Sequence, residues 1–275
     1  MPIWESAQVL ELLVGVTAGF VVALLFTPVG VSGAVLLLPA QTNLLGLAGP
    51  AVSSTNLLFN VVSTPGGLAR FGRTAAPGRR EVVAVLVVAV PAAVGGALLR
   101  VTVLADADAF RVLVAAALLP IAATLVWRCW HPASTRVARS RPGSAAGDLG
   151  LGRLAGLSAL TSLIGAAVGF GGGSLLAPAL IVATARGPRQ VAPLALLATL
   201  ATSVTGLAAY TVLEAIDVGA RPAAPDWLLG TITGLGGLAG SLLGAHLQPR
   251  LDERLLTGLL ALLVTTVAAV QLLRG

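Results

Sequence analysis

The sequence predicts an all-α integral membrane protein of two inverted repeats, each a broken, re-entrant helix hairpin followed by three transmembrane helices. Hydropathy, charge placement and internal repetition predict this fold. Of the 275 residues, 56% are hydrophobic and 10% are charged, whereas soluble domains carry about 25% charged residues. Charge-free runs such as Leu12–Ala69 and Leu154–Ala185 are long enough to cross a bilayer, which takes roughly 20 apolar residues of helix.

All 17 basic residues are arginines, and they fall between the apolar runs. Arginines placed there orient membrane helices, so the net charge of +6 does not predict a nucleic-acid partner. If each hairpin returns to its own side, thirteen arginines lie inside, and Arg100, Arg111, Arg221 and Arg274 lie outside. We therefore expect a multi-pass protein in the lipid bilayer with both termini outside.

Cys129 is the single cysteine, so neither an intrachain disulfide nor a thiolate metal site is expected. We expect no metal and no other cofactor. The N-terminus has no basic region and no small-residue cleavage site. The first helix is therefore expected to remain in the mature protein.

One motif occurs twice and divides the chain into halves. Val29–Ala40 reads VGVSGAVLLLPA and Val168–Ala179 reads VGFGGGSLLAPA, with seven of twelve positions identical. The aligned Gly and Pro residues carry this repeat, because matches of Leu, Val and Ala are frequent by chance in apolar sequence. The stretch His131–Gly152, rich in Arg, Ser, Pro and Gly, predicts a cytoplasmic linker between membrane repeats at residues 1–130 and 153–275.

Each repeat opens with an interrupted apolar run. A break at Thr27–Gly33 separates Gln8–Phe26 from Ala34–Gly46, and a break at Gly169–Gly173 separates Leu154–Val168 from Ser174–Ala185. The second arm of each run spans only about 20 Å, too short to cross, which predicts re-entrant hairpins. The helices expected to follow are Pro50–Leu68, Glu81–Arg100, Asp108–Arg128, Val191–Leu213, Trp227–Leu247 and Glu253–Leu273.

The two glycine breaks form the candidate binding site. Irregular backbone at membrane depth is tolerated only where protein or a cavity satisfies it, and matched breaks in two halves are typical of transporter sites. The helix that starts after each break points its N–H groups and its positive dipole end at the break, which suits an anion. The alternative is that the glycines only permit close helix packing. The predicted ligand-binding residues here are Gly30, Ser32, Gly33, Gly169, Gly171, Gly172, Gly173 and Ser174.

A polar helix face follows each break. The first carries Ser53, Asn56, Asn60 and Ser63 at three- and four-residue spacing, and the second carries Thr199, Thr202, Ser203 and Thr205. We assign Ser53, Asn56, Asn60, Thr202 and Ser203 to the binding site, since an amide offers two donors to an anion. Hydrogen bonding between helices is the alternative. A packing face is predicted instead for Gly230, Gly234, Gly236, Gly240 and Gly244.

The doubled glycine motif, followed by a Ser/Thr-rich helix, resembles the sulfite exporter TauE/SafE family. Gly169-Phe170-Gly171-Gly172-Gly173 through Pro178 matches its pattern well, and the first copy departs from it at Ser32 and Ala34. The resemblance covers essentially the whole chain. It implies a carrier in the bacterial inner membrane, not an enzyme, that exports a small organic or sulfur-containing anion such as sulfite or a sulfonate.

Two other functions stay open at this point. An anion channel can share this anatomy, and Gly30-Val31-Ser32-Gly33 together with His246 resembles the serine–histidine pair of rhomboid intramembrane proteases. Gly171 replaces the serine in the second copy of the motif, which argues against the protease. No carboxylate falls at a helix centre, so no coupling ion is predicted, and the sequence leaves a monomer and a homodimer open.

Overall fold

The computed structural model describes residues 3–44, 49–71, 77–106, 149–184 and 186–252, with single positions between 110 and 123 and between 255 and 269. Every regular element within these ranges is helical, which confirms the predicted all-α class for this part of the chain. Two 3₁₀ turns lie at Thr27–Val29 and Gln248–Arg250. The helices are α1 (Ile3–Phe26), α2 (Ala34–Leu44), α3 (Pro50–Phe71), α4 (Arg79–Thr102), α5 (Leu151–Val168), α6 (Gly172–Ala183), α7 (Pro188–Ala215) and α8 (Trp227–Leu247).

Helix ends fall where local chemistry requires them. Pro28 follows the end of α1 in a 3₁₀ turn, since proline lacks the N–H that would continue the helix. Gly169 ends α5 with φ of +89°, a backbone conformation that favours glycine. Asp226 caps α8, because its carboxylate accepts a hydrogen bond from the Leu229 N–H at 3.0 Å.

Part of the predicted layout lies outside the described residues. The expected helices Asp108–Arg128 and Glu253–Leu273 are represented only by single positions. Most of the predicted linker His131–Gly152 is also outside.

Many large apolar side chains lie on the surface of the bundle, and the buried face of α4 consists largely of alanine and glycine. On α4, Val83, Val87 and Val90 are 51%, 66% and 47% exposed, whereas Ala89 and Ala93 are fully buried. This distribution is the inverse of a water-soluble helix and suits lipid. Five described segments are long and apolar enough to cross a membrane: Leu12–Val29, Arg79–Thr102, Leu151–Val168, Pro188–Ala215 and Trp227–Arg250.

α3 is the most polar helix and lies at the centre of the described bundle. It packs against α7 on one side and α8 on the other. Ser53, Asn56 and Asn60 are fully buried within it. Because a polar side chain at membrane depth is costly against lipid, this central position keeps the polar face of α3 within protein.

The predicted packing face of α8 is confirmed, and it has two rows. Gly236 and Gly240 lie directly against the main chain of α1 at Val16 and Phe20. Glycine permits this approach, because a Cβ atom at either position would overlap a carbonyl group. The other row faces α3, with Gly230 against Leu58 and Gly234 against Val62.

We expect Gly240→Ala to lower the melting temperature of the protein in detergent by several degrees. The added methyl group would meet the Phe20 carbonyl, and overpacking of this kind costs about 1–3 kcal/mol. Gly156→Ala in α5 is the matched control, since nothing lies within 4 Å of the added atom. Equal melting temperatures for the two variants would show that the α1–α8 contact is not close-packed.

Candidate functional site

The two helix breaks depend on glycine in the left-handed region of backbone space. Gly30 has φ of +78°, Gly169 of +89° and Gly171 of +74°. A side chain at such positions is strained. The sequence expectation that these residues interrupt their helices is therefore met in the described backbone.

The breaks meet each other inside the bundle. The Ser32 N–H donates to Ser174 Oγ at 3.0 Å. Ser32 lies just before α2, and Ser174 lies in the first turn of α6. The N-terminal ends of the two short helices therefore converge.

Asn60 of α3 bridges the two breaks. Ser32 Oγ donates to Asn60 Oδ1 and accepts from the Ala34 N–H at 3.1 Å, which caps α2. Asn60 Nδ2 donates in turn to the Gly169 carbonyl at 3.5 Å. One amide thus joins the start of α2 to the end of α5.

Three polar side chains beside this bridge have no hydrogen-bond partner in the described part of the chain. They are Asn56, Thr199 and Ser203, each fully buried. Both amide atoms of Asn56 are unpaired. A buried polar group normally finds a partner, and leaving one unpaired costs about 1–3 kcal/mol.

Gly171 lies among the polar side chains of this site. A Cβ atom on it would lie 2.7 Å from Thr199 Cγ2, 3.1 Å from Ser203 Oγ and 3.3 Å from Asn60 Nδ2. Gly171 is packed as tightly as the other break glycines, but the atoms around it belong to polar side chains of the site. Among the break glycines, a ligand contact is best supported at this position, because the hydroxyls of Thr199 and Ser203 have no hydrogen-bond partner among the described residues.

The other break glycines lie against protein. A Cβ atom would meet Ala192 at Gly30, Val22 at Gly33 and Ser53 at Gly169. At Gly172 it would meet Ser162 and Thr202, and at Gly173 the Ala195 carbonyl. These contacts favour the alternative that the glycines permit close packing, and a ligand contact at these positions stays a prediction.

The remaining predicted site residues bond to protein. Ser53 Oγ donates to the Ala167 carbonyl at 2.9 Å, and Ser174 Oγ to the Phe170 carbonyl at 2.8 Å. Thr202 Oγ1 donates to Ser162 Oγ at 3.1 Å on α5. These bonds fix how α3, α5, α6 and α7 pack around the unpaired side chains.

Ser32 and His246 do not form a catalytic pair. The Ser32 hydroxyl bonds to Asn60. The exposed ring of His246 lies with Nδ1 2.9 Å from the Leu242 carbonyl of its own helix. Neither contact gives the serine a general base. The described residues also contain no group of three His, Cys, Asp or Glu side chains suited to a metal ion.

Thr199, Arg100 and Tyr210 are polar residues near the site that the sequence did not assign to it. Arg100 ends the predicted helix Glu81–Arg100 and lies in the last turn of α4, but its side chain is only 2% exposed, which the sequence did not predict. Tyr210, the single tyrosine, is fully buried and donates to the Ala166 carbonyl at 3.1 Å. An arginine at the end of an apolar helix is typically an anchor at the membrane interface. Nothing in the sequence therefore distinguished Arg100 from the other arginines as a buried residue.

A surface groove of about 500 Å³ lies elsewhere, at the starts of α4 and α5. Arg79, Arg80 and Leu151 line it together with Val83 and Ala84. None of the predicted site residues borders it. The candidate site is instead buried where the breaks meet.

These features define a helical membrane protein whose two interrupted helices meet around buried polar side chains. The chain belongs to the sulfite exporter TauE/SafE family, whose family model matches residues 13–272. The resemblance inferred from the glycine motifs is thereby confirmed, and the family is one of membrane transporters. No curated protein and no solved structure matches the chain.

We expect Asn60→Ala to destabilise the protein, because it breaks the bridge between the two breaks. Loss of these buried hydrogen bonds costs about 1–3 kcal/mol, which should appear as a lower melting temperature in detergent. Ser54→Ala is the control on the same helix, since the equally buried Ser54 donates only to the Ala51 carbonyl of its own helix. An Asn60→Ala protein that melts like Ser54→Ala would contradict the bridging role.

Proposed function

We propose that this protein is a carrier, most simply an exporter, of small organic or sulfur-containing anions such as sulfite or sulfonates. The anion binds where the N-terminal ends of α2 and α6 converge. One observation carries the proposal. Two helix N-termini face a group of buried side chains, Asn56, Thr199 and Ser203, that have no hydrogen-bond partner among the residues that the structure describes.

Electrostatics favours an anion at this place. Each helix N-terminus carries roughly half a positive charge and N–H groups without intrahelical partners. Two such ends brought together, as the bond from Ser32 to Ser174 does, repel each other unless negative charge lies between them. The hydroxyls of Thr199 and Ser203 and the amide of Asn56 can donate to the same ligand.

Burial favours a carrier over a channel. Asn56, Asn60, Thr199 and Ser203 are fully buried, and Ser32 is 6% exposed. The site is therefore closed to solvent at both ends in this conformation. A carrier passes through such a closed state, whereas a channel needs a continuous pathway. The protease alternative lacks support, because the Ser32 hydroxyl is engaged with Asn60.

Unpaired polar side chains also extend from the site toward both ends of the bundle. Gln41 lies along α2 on the side of Gly49, and Ser158 lies along α5 on the side of Leu151. Both are buried, and within the described ranges their side chains have no hydrogen-bond partner. These positions suit a pathway that becomes hydrated when the bundle opens.

Equivalent contacts in the two halves support inverted repeats at residues 1–130 and 153–275. Adding 139 to a residue number relates Gly67 and Leu57 to Gly206 and Leu196. A Cβ at Gly67 would meet Leu196, and one at Gly206 would meet Leu57. Since low numbers on α3 face high numbers on α7, these equivalent helices run antiparallel. That is expected of repeats related by an axis in the membrane plane.

The contacts of the two helix breaks are equivalent in the same way, at residues 139 apart in the chain. Gly30 lies against Ala192, and Gly169 lies against Ser53, which is the residue equivalent to Ala192. A re-entrant shape of the first hairpin is supported by Ala34 at the start of α2, which packs in one cluster with Ala23 of α1. We place the site midway between the repeats in a bacterial inner membrane.

We expect Asn56→Ala to weaken anion binding by roughly ten- to a hundredfold, the effect of removing a donor to a charged ligand. Purified protein is titrated with sulfite, methanesulfonate and acetate by calorimetry, and flux is measured in proteoliposomes. Melting of the ligand-free variant should be unchanged or higher, because the substitution removes two unpaired polar atoms. Ser54→Ala should bind like the unmodified protein.

The contrary result is equally specific. If Asn56→Ala binds normally but melts at a lower temperature, Asn56 has a structural role and does not belong to the site. If the unmodified protein binds and moves none of the anions, the proposed function is wrong.

Topology provides a separate expectation. A C-terminal alkaline phosphatase fusion should be active and a C-terminal green fluorescent protein fusion dark, because both termini are expected outside. The same reporters inserted within the linker His131–Gly152 should give the reverse pattern. The same reporter signal at the C-terminus and in the linker would exclude the layout of two inverted repeats, each a hairpin followed by three helices.

A further inference from the structure

Arg100 is a buried cation held only by neutral groups. Its Nη2 donates to the Gly49 carbonyl at 2.9 Å, its Nη1 to the Leu104 carbonyl, and its Nε lies 3.4 Å from Ser53 Oγ. The Phe110 ring stacks on the guanidinium, with its centroid 4.0 Å from Cζ. No carboxylate pairs with Arg100 among the residues that the structure describes.

Among the described residues, the buried positive charge of Arg100 has no negative partner. Buried charges are normally paired with an opposite charge, because carbonyls and rings offset only part of the desolvation cost. The nearby Arg221 is already in an ion pair, with Asp106 at 3.5 Å, and both are exposed. The charge of Arg100 is therefore not neutralised by the described protein.

Arg100 also lies next to the proposed anion site. Its partner Ser53 donates to the Ala167 carbonyl, two residues before the Gly169 break. On α3, Asn56 follows Ser53 by one helical turn, about 5 Å along the axis. The guanidinium is therefore one to two turns from the unpaired amide of Asn56.

We propose that Arg100 makes the site selective for doubly charged over singly charged small anions, with the bound anion serving as its counter-ion. This inference rests on the proposed function and adds a specificity-determining residue to it. Two helix N-termini supply partial positive charge at the site, and Arg100 adds a full positive charge. A compact dianion, such as fully ionised sulfite, gains more from that added charge than a monoanion does.

The expected size of the effect follows from Coulomb's law. At a separation of about 8 Å and an effective dielectric constant of about 20, one protein charge changes affinity by roughly thirtyfold per unit of ligand charge. Removal of the charge of Arg100 should therefore weaken a dianion about thirtyfold more than a monoanion. A purely structural clamp on Gly49 and Leu104 would weaken both ligands equally.

The test compares sulfate with methanesulfonate, which are similar in size and differ in charge. Arg100→Gln should lower the ratio of sulfate to methanesulfonate affinity by about thirtyfold, and Arg100→Lys should keep that ratio within a few fold. Arg221→Gln, at the same end of the bundle, is the control and should leave the ratio unchanged. Affinities are measured by calorimetry on the full-length protein.

A second variant keeps the arginine and its carbonyl bonds in place. Phe110→Glu gives Arg100 a carboxylate partner, so the affinity ratio should fall as it does in Arg100→Gln, whereas Phe110→Gln should preserve it. If Arg100→Gln does not fold, the comparison of Phe110→Glu with Phe110→Gln tests the role of Arg100 in its place. An unchanged ratio in Phe110→Glu or in folded Arg100→Gln overturns the role of Arg100 alone. Absence of anion binding by the unmodified protein overturns the proposed function, and this inference with it.

Discussion

The bridge through Asn60 is the interaction on which the rest of the structure depends. Its amide joins Ser32, just before α2, to the Gly169 carbonyl at the end of α5. Backbone that has left its helix inside a membrane needs a partner, because lipid offers none. A single side chain on the central helix bonds to both breaks at once. Ser32, which it contacts, also bonds to Ser174 of α6, and this bond brings the N-terminal ends of α2 and α6 together. The repulsion between those ends is the physical basis for an anion between them.

Close helix packing encloses the two breaks and the polar residues of α3 in a small bundle. Glycines let α8 touch the main chain of α1, and α4 presents alanines inward, so these helices approach closely. Larger side chains such as Phe59, Phe170 and Tyr210 fill the interior elsewhere. The polar residues of α3 are then enclosed on all sides. Most break glycines serve the same purpose, and Gly171 alone among the predicted ones lies amid Asn60, Thr199 and Ser203.

The sequence predicted the helices well because their ends have local causes. α8 spans Trp227–Leu247 as expected, since Asp226 caps it. The first break coincides with Pro28 and Gly30, and the second with Gly169 and Gly171. The partners of the polar side chains were not predictable. Asn56 and Asn60 are both amides on one helix face, yet only the fold shows that Asn60 bridges the breaks and Asn56 is unpaired. The burial of Arg100 was not predicted, because composition cannot show that a helix end is covered by Gly49 and Phe110.

The contact between α1 and α8 has a consequence for how the chain is made. α1 precedes α8 in the chain, and about 200 residues separate its end from the start of α8. At a synthesis rate of about 5–20 residues per second, α8 follows α1 by roughly 10–40 s. During that interval the face of α1 that later receives Gly236 and Gly240 has no α8 to pack against. The contact between α1 and α8 therefore forms well after α1 has been made.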